Sequence, residues 1–213
     1  MKIVFFGDSI TDMGRIYDLN FPSPRALGEG YVFLASADIM KKYPNCFEIV
    51  NRGIGGNRIV DLYQRIKCDV WNHKPDVLSI LIGVNDVWHE IARQNGVEID
   101  RFEKVYRMII EDTLKVLPNV KIMLCEPYVL EGISTSEHYD AFLEVYKYAK
   151  VVKKLAKEYG LVFVPLQEKL NELAELNGAS YYMQDGVHPD VPGARAIADG
   201  WVNAFYNEIL KGE

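Results

Sequence analysis

Five short apolar runs punctuate the chain: Lys2–Phe6, Phe47–Val50, Asp76–Ile82, Val120–Cys125 and Leu161–Val164. Each is rich in Ile, Val, Leu or Phe without polar alternation, the pattern of a parallel strand covered on both faces. Between them, apolar residues recur at spacings of three and four. In Arg101–Leu117 the stripe is Phe102, Val105, Ile109 and Val116, interrupted by Asp112. In Glu137–Tyr159 it is Phe142, Val145, Ala149, Val152, Ala156 and Tyr159. These spacings predict helices with one inward face, and Tyr31–Tyr43, Ile59–Trp71 and Ala194–Leu210 read the same way. Lys147, Lys150, Lys153, Lys154 and Lys157 fall mostly on the outer side of their helix, as a solvated face. Strands alternating with helices predict an α/β fold with a parallel sheet and right-handed crossovers. Pro22, Pro24, Gly28 and Gly30 fall in a long loop after the first strand, read as the wall of a site. Nothing resembles a linker, repeat or low-complexity tract, so residues 1–213 read as one domain.

This architecture places ligands at the carboxyl ends of the strands. Small and polar residues follow the apolar runs in turn: Gly7-Asp8-Ser9-Ile10-Thr11, then Asn51-Arg52-Gly53-Ile54-Gly55-Gly56-Asn57, Gly83-Val84-Asn85-Asp86 and Glu126-Pro127-Tyr128.

Composition narrows the classes. Apolar residues make up 49% and charged residues 25%, which excludes disorder, collagen-like repeats and coiled coil. With 24 basic against 30 acidic residues the net charge is −6, so no basic field favours nucleic acid. No apolar run approaches the ~18 residues of a membrane span. Four apolar residues separate Lys2 from Gly7, short of the about 7–15 of a secretory signal. Cys46, Cys68 and Cys125 form no CxxC and read as packed thiols in a reducing compartment, so a cytoplasmic location is expected.

Several motifs are absent. Arg58 stands where a dinucleotide fingerprint would have its third glycine, no P-loop occurs, and His89-Glu90 ends in Arg93 rather than a second histidine. No serine lies in GxSxG. A metal site and a cofactor are not expected. Of the four histidines, His73 precedes the third strand, at the far end of the sheet, whereas His89 and His138 could line the cleft. His188 lies in Asp185-Gly186-Val187-His188-Pro189, where Gly186 permits a turn bringing a carboxylate to imidazole Nδ1 and leaving Nε2 free for a proton. Read alone, that segment is equally a turn feeding a helix. A serine at the tip of the first strand can face the imidazole across the cleft. Attack on an ester also needs preorganised N–H donors for the oxyanion, and the candidates are Ser9 N–H, Gly56 N–H and Asn85 Nδ2. Gly55 and Gly56 also fit an ordinary turn, and Asn85-Asp86 a helix cap.

Taken together, Gly7–Thr11, Asn51–Asn57, Gly83–Asp86 and Asp185–Pro189 resemble the four blocks of the SGNH (GDSL-type) hydrolases. The resemblance implies Ser9 as nucleophile, His188 as base with Asp185 behind it, and Ser9, Gly56 and Asn85 as oxyanion donors. It also implies a flavodoxin-like three-layer α/β/α fold with strand order 2-1-3-4-5. Gly7-Asp8-Ser9-Ile10-Thr11-Asp12, Ala26-Leu27-Gly28-Glu29-Gly30-Tyr31-Val32 and Gly83-Val84-Asn85-Asp86-Val87-Trp88 are further similar to the intracellular acetylxylan esterases of that family. Gln184 departs from the aromatic expected before the aspartate in that subgroup. The expected activity is therefore removal of small acyl groups, acetyl above all, from carbohydrate esters such as acetylated xylo-oligosaccharides. Tyr31, Arg58, Trp88 and Tyr128 are candidate substrate contacts. A short-chain thioesterase or lysophospholipase would use the same residues, whereas a non-catalytic carbohydrate-binding module would not need them together. The run Trp201–Tyr206 reads as the last helix packed on its own sheet, with a homo-oligomer interface as the alternative.

Overall fold

The computed structural model describes residues 1–17 and 23–211; Pro22, assigned above to the first loop, lies outside them. In chain order the elements are β1 (Lys2–Gly7), α1 (Ser9–Asp12), α2 (Tyr31–Lys42), β2 (Glu48–Gly53), α3 (Ile59–Asp69), β3 (Val77–Leu81), α4 (Val84–Arg93), α5 (Ile99–Val116), β4 (Lys121–Cys125), α6 (Tyr139–Phe142), α7 (Val145–Tyr159), β5 (Val162–Val164), α8 (Gln167–Asn177), α9 (Ala179–Tyr182) and α10 (Val191–Ala204). The five strands form one parallel sheet in the order β2-β1-β3-β4-β5, the flavodoxin-like order, with helices on both sides.

Alternation along β1 sorts the two layers. Phe5 meets Tyr31 of α2 and Trp201 of α10, at ring distances of 5.9 and 4.8 Å. Its neighbour Phe6 lies under the guanidinium of Arg65 in α3. Helices α2 and α10 thus cover one face, while α3, α5 and α7 contact each other in series on the other. Trp201, fully buried, stacks on Phe205 and donates its indole N–H to Ser79 Oγ at 2.9 Å. The C-terminal aromatic pair Trp201–Phe205 is therefore packed against the chain's own sheet.

Three helical expectations shift. The stretch Glu137–Tyr159 breaks at Leu143–Glu144, between α6 and α7, although its apolar stripe is buried from Phe142 to Ala156. In α5, Tyr106, Ile110 and Thr113 share the buried face, whereas Val116 is 48% exposed at the helix end. The last helix begins at Val191 and ends in a wide turn over Phe205–Ile209. The packed-thiol reading holds for Cys125 alone: Cys46, in the connection between α2 and β2, and Cys68, near the end of α3, are exposed. No disulfide links these three.

The register levels the strand tips. Gly7 pairs with Gly53 on one side and Leu81 on the other, Leu81 with Cys125, and Cys125 with Val164. The segments leaving that row at β1, β2 and β3 are the polar blocks read from the sequence.

Candidate active site

Asp8 leaves β1 and caps α1: its Oδ1 accepts the N–H of Ile10 at 2.9 Å. Ser9 is the first residue of that helix, so its side chain stands at the strand tip, half-buried. Ser9 Oγ lies 2.7 Å from Nε2 of His188, 179 residues along the chain. His188 Nδ1 lies 2.6 Å from Asp185 Oδ2, and Asp185 Oδ1 accepts the backbone N–H groups of Val187 and His188 at 2.8 and 2.7 Å. The carboxylate thus closes its own turn and orients the ring it faces. Gly186 makes that turn with φ +90°, and a side chain there would strike Thr135 Oγ1 and Leu130 O.

Burial pushes the Asp185 carboxyl up, but hydrogen bonds from His188 and the two backbone N–H groups outweigh it and hold it below the ordinary range. His188 is raised, first by its hydrogen bond to Asp185 and further by the charges of Asp185 and Asp8, against the opposing effect of burial. Asp8 itself is wholly buried and pushed up to about 7 by desolvation. Its Oδ2 and the buried Tyr128 hydroxyl have no hydrogen-bond partner among the described residues.

The other candidate donors lie in the segments that follow β2 and β3. Gly55 approaches the Ser9 side chain, and Gly56 takes φ +77°, a backbone that disfavours other residues. Asn85, in the first turn of α4, is 5% exposed and donates one Nδ2 hydrogen to Asn57 O at 3.1 Å, leaving its second hydrogen uncommitted among the described residues. Asp86 caps a different helix from its own: both carboxylate oxygens accept Ile59 N–H at the start of α3. Burial holds Asp86 well above the carboxylate range. Among the described residues no three His, Cys, Asp or Glu are placed to hold a metal ion.

The four candidate substrate contacts separate. Tyr31 and Tyr128 are 0% exposed and cannot present a face to a substrate: Tyr31 packs on Phe5 with its hydroxyl on Thr11 Oγ1, and Tyr128 is enclosed in the core. The guanidinium of Arg58 is engaged by Asp61 and by the carbonyl of Asn95. Trp88 remains partly exposed, 6.1 Å from the His188 ring between centroids and edge-on to Phe142. His138 is exposed, His73 accepts Arg52 Nε–H, and His89 is held low by burial and by Arg58. Glu126 caps α8, accepting the N–H groups of Leu166 and Gln167, so the polar block after β4 is structural.

Sequence reasoning missed the segment that holds the histidine loop. Leu130 N–H, Ile133 N–H and Ser134 N–H donate to the carbonyls of Gly186, Gln184 and Asp185. Thr135 Oγ1 accepts Gly132 N–H and donates to Leu130 O. The local cue is the glycine-threonine turn Gly132–Thr135 directly after the apolar run Tyr128–Leu130.

A five-stranded parallel sheet with serine, imidazole and carboxylate in sequence at its tips defines a class, the carboxylic ester hydrolases on a flavodoxin-like sheet. The chain belongs to the GDSL-like Lipase/Acylhydrolase family, which matches residues 5–196. It is 36% identical over 214 residues to an acetylxylan esterase from Geobacillus stearothermophilus, covering 98% of this chain and 93% of the relative. Solved structures of that Geobacillus enzyme include catalytic mutants at a serine, an aspartate and a histidine. They superimpose with TM-scores of 0.84–0.86 at 32–33% identity, covering 95% of this chain and 93% of theirs. A chain from Parabacteroides merdae described as a GDSL-like lipase superimposes with a TM-score of 0.89 at 38% identity, covering 95% of this chain and 94% of that one. Among the described residues no helix is long and apolar enough to cross a membrane.

Proposed function

We propose that this ester hydrolase removes acetyl groups from acetylated xylo-oligosaccharides, with Ser9 as nucleophile, His188 as general base and Asp185 as its orienting carboxylate. The observation that carries the mechanism is the unbroken contact from Ser9 Oγ through His188 to Asp185, at 2.7 and 2.6 Å. In the Geobacillus enzyme the mutated catalytic serine, aspartate and histidine stand at the same sequence separations as Ser9, Asp185 and His188.

His188 Nε2 takes the Ser9 proton as Oγ attacks the acetyl carbonyl. Negative charge moves to the carbonyl oxygen, where Ser9 N–H, Gly56 N–H and the uncommitted Asn85 Nδ2 hydrogen meet it. The tetrahedral species collapses, the sugar hydroxyl leaves with the proton from His188, and acetyl remains on Ser9. Water, deprotonated by His188, repeats the sequence and frees acetate. The His188 side chain is 36% exposed, so water and a hydrophilic leaving group reach it. Trp88, beside that imidazole, supplies an indole face for a sugar ring.

Acetate release from acetylated xylo-oligosaccharides, compared with nitrophenyl esters and acyl thioesters of increasing chain length, tests the assignment. The expected result is preference for acetyl on the sugar, with turnover reduced on the order of 10⁴-fold or more in Ser9→Ala. Preference for long acyl chains or thioesters would move the substrate assignment elsewhere, and full activity in Ser9→Ala would remove the mechanism.

A further inference from the structure

Arg65 lies on α3, outside the catalytic contacts, with its side chain 13% exposed. Its guanidinium makes four hydrogen bonds in one plane of donors. Nη2 donates to Gly7 O at 2.9 Å, Nη1 to Arg52 O at 2.8 Å and to Asp69 Oδ2 at 2.8 Å, and Nε to Asn57 Oδ1 at 2.7 Å. The ring of Phe6 supports the cation, 4.4 Å from centroid to carbon.

Asp69 holds the fork from its own helix, and the other three acceptors lead to the oxyanion donors. Gly7 ends β1, two residues before Ser9, and its carbonyl also accepts Ile54 N–H at 3.1 Å. Arg52 and Asn57 flank the turn that carries Gly56. The carbonyl of Asn57 is the acceptor that orients the Asn85 amide. One rigid fork therefore ties the tip of β1, the glycine turn after β2 and, through Asn57, the first turn of α4.

We infer that Arg65 is a positioning residue that fixes the Ser9, Gly56 and Asn85 donors in a single frame. The inference rests on the reading of Ser9 as nucleophile. Lysine cannot replace this function, because an ammonium offers no planar fork and cannot span acceptors on three segments. Donor placement matters only where charge develops, so the loss falls on turnover rather than on ester binding.

The test measures kcat, KM and the inhibition constant of methaneboronic acid, a mimic of the tetrahedral adduct, in Arg65→Lys, Asn57→Ala and the double variant, with nitrophenyl acetate as substrate. The expected result is a fall in kcat of about 10- to 100-fold in each single variant. Boronic acid affinity falls in parallel, KM and the acid limb of the pH profile stay in place, and the double variant is no worse than the weaker single one. Wild-type kcat and boronic acid affinity in Arg65→Lys, with or without a lower melting temperature, would overturn the inference, as would additive losses. Should Arg65→Lys fail to fold, Asn57→Ala carries the test alone, and unchanged turnover there overturns it. A wild-type chain without Ser9-dependent hydrolysis is a separate outcome. It sinks the reading of Ser9, and this inference with it.

Discussion

His188 sits between a hydroxyl and a carboxylate, and its titration decides when the site can accept a proton. The Asp185 hydrogen bond raises it above the ordinary histidine range near 6.5 despite partial burial. A base works when neutral, so kcat/KM rises with pH along a limb centred above 6.5. In Asp185→Asn the limb moves to lower pH and the plateau drops about 10³–10⁴-fold, read from a pH–rate profile. For stability the raised His188 acts in the opposite sense: its contribution is complete below the unfolded histidine pKa and is lost as pH rises through the folded one, while the lowered Asp185 loses its own contribution only in acid. Asp8 adds to the loss at rising pH. Burial raises its carboxyl to about 7, so the folded state holds a proton that the unfolded chain gives up near pH 4, and stability falls across that interval. The charges of His188 and Arg65 act on Asp8 in the lowering direction, while Asp86, Tyr128 and Tyr31 share its surroundings. Asp8→Asn keeps a cap for Ile10 N–H and removes the titration. Its melting temperature is expected to fall less between pH 5 and 8 than that of the wild type; an identical fall would show that Asp8 stays ionised.

The strands and their tips were readable at the level of elements because a doubly covered parallel strand leaves no polar alternation, and Phe5 and Phe6 side by side are its mark. What escaped the pattern escaped for physical reasons. In α4 the apolar residues Val84, Val87, Trp88 and Ile91 do recur at helical spacing, but the buried first turn also carries Asn85 and Asp86, so polar groups break the apolar pattern where the helix starts. In α8 only Gln167 and Leu170 are buried, too few to mark a face. Tyr31 and Tyr128 read as binding aromatics because sequence shows residue type and not direction; their rings point into the core. The polar blocks after β1, β2 and β3 were legible because each is short and follows a strand, whereas the segment 130–135 supports the histidine loop largely through backbone atoms, which leave little trace in residue identity. Its one side-chain element is testable. Thr135→Val preserves shape but leaves the part-buried Gly132 N–H without its acceptor, at a cost of about 1 kcal/mol. A lower denaturant midpoint together with reduced kcat is expected; full activity would show that the loop holds Asp185 without help from Thr135.

Across the whole molecule, the sheet order brings residues from the two ends of the chain to one row of strand tips. The core behind that row depends on the last helix. Trp201 is fully buried, touches Phe5 and Phe205 and bonds Ser79 in β3, so Trp201→Ala is expected to cost about 3–5 kcal/mol in chemical unfolding. The central claim remains the meeting of Ser9 and His188 for covalent catalysis. Rapid mixing with nitrophenyl acetate, followed by acid quench and peptide mass analysis, tests it directly. The account predicts a product burst and one acetyl group on the peptide carrying Ser9, both lost in His188→Ala. Hydrolysis proceeding at full rate with the acetyl group absent from Ser9, or carried by another residue, would contradict it.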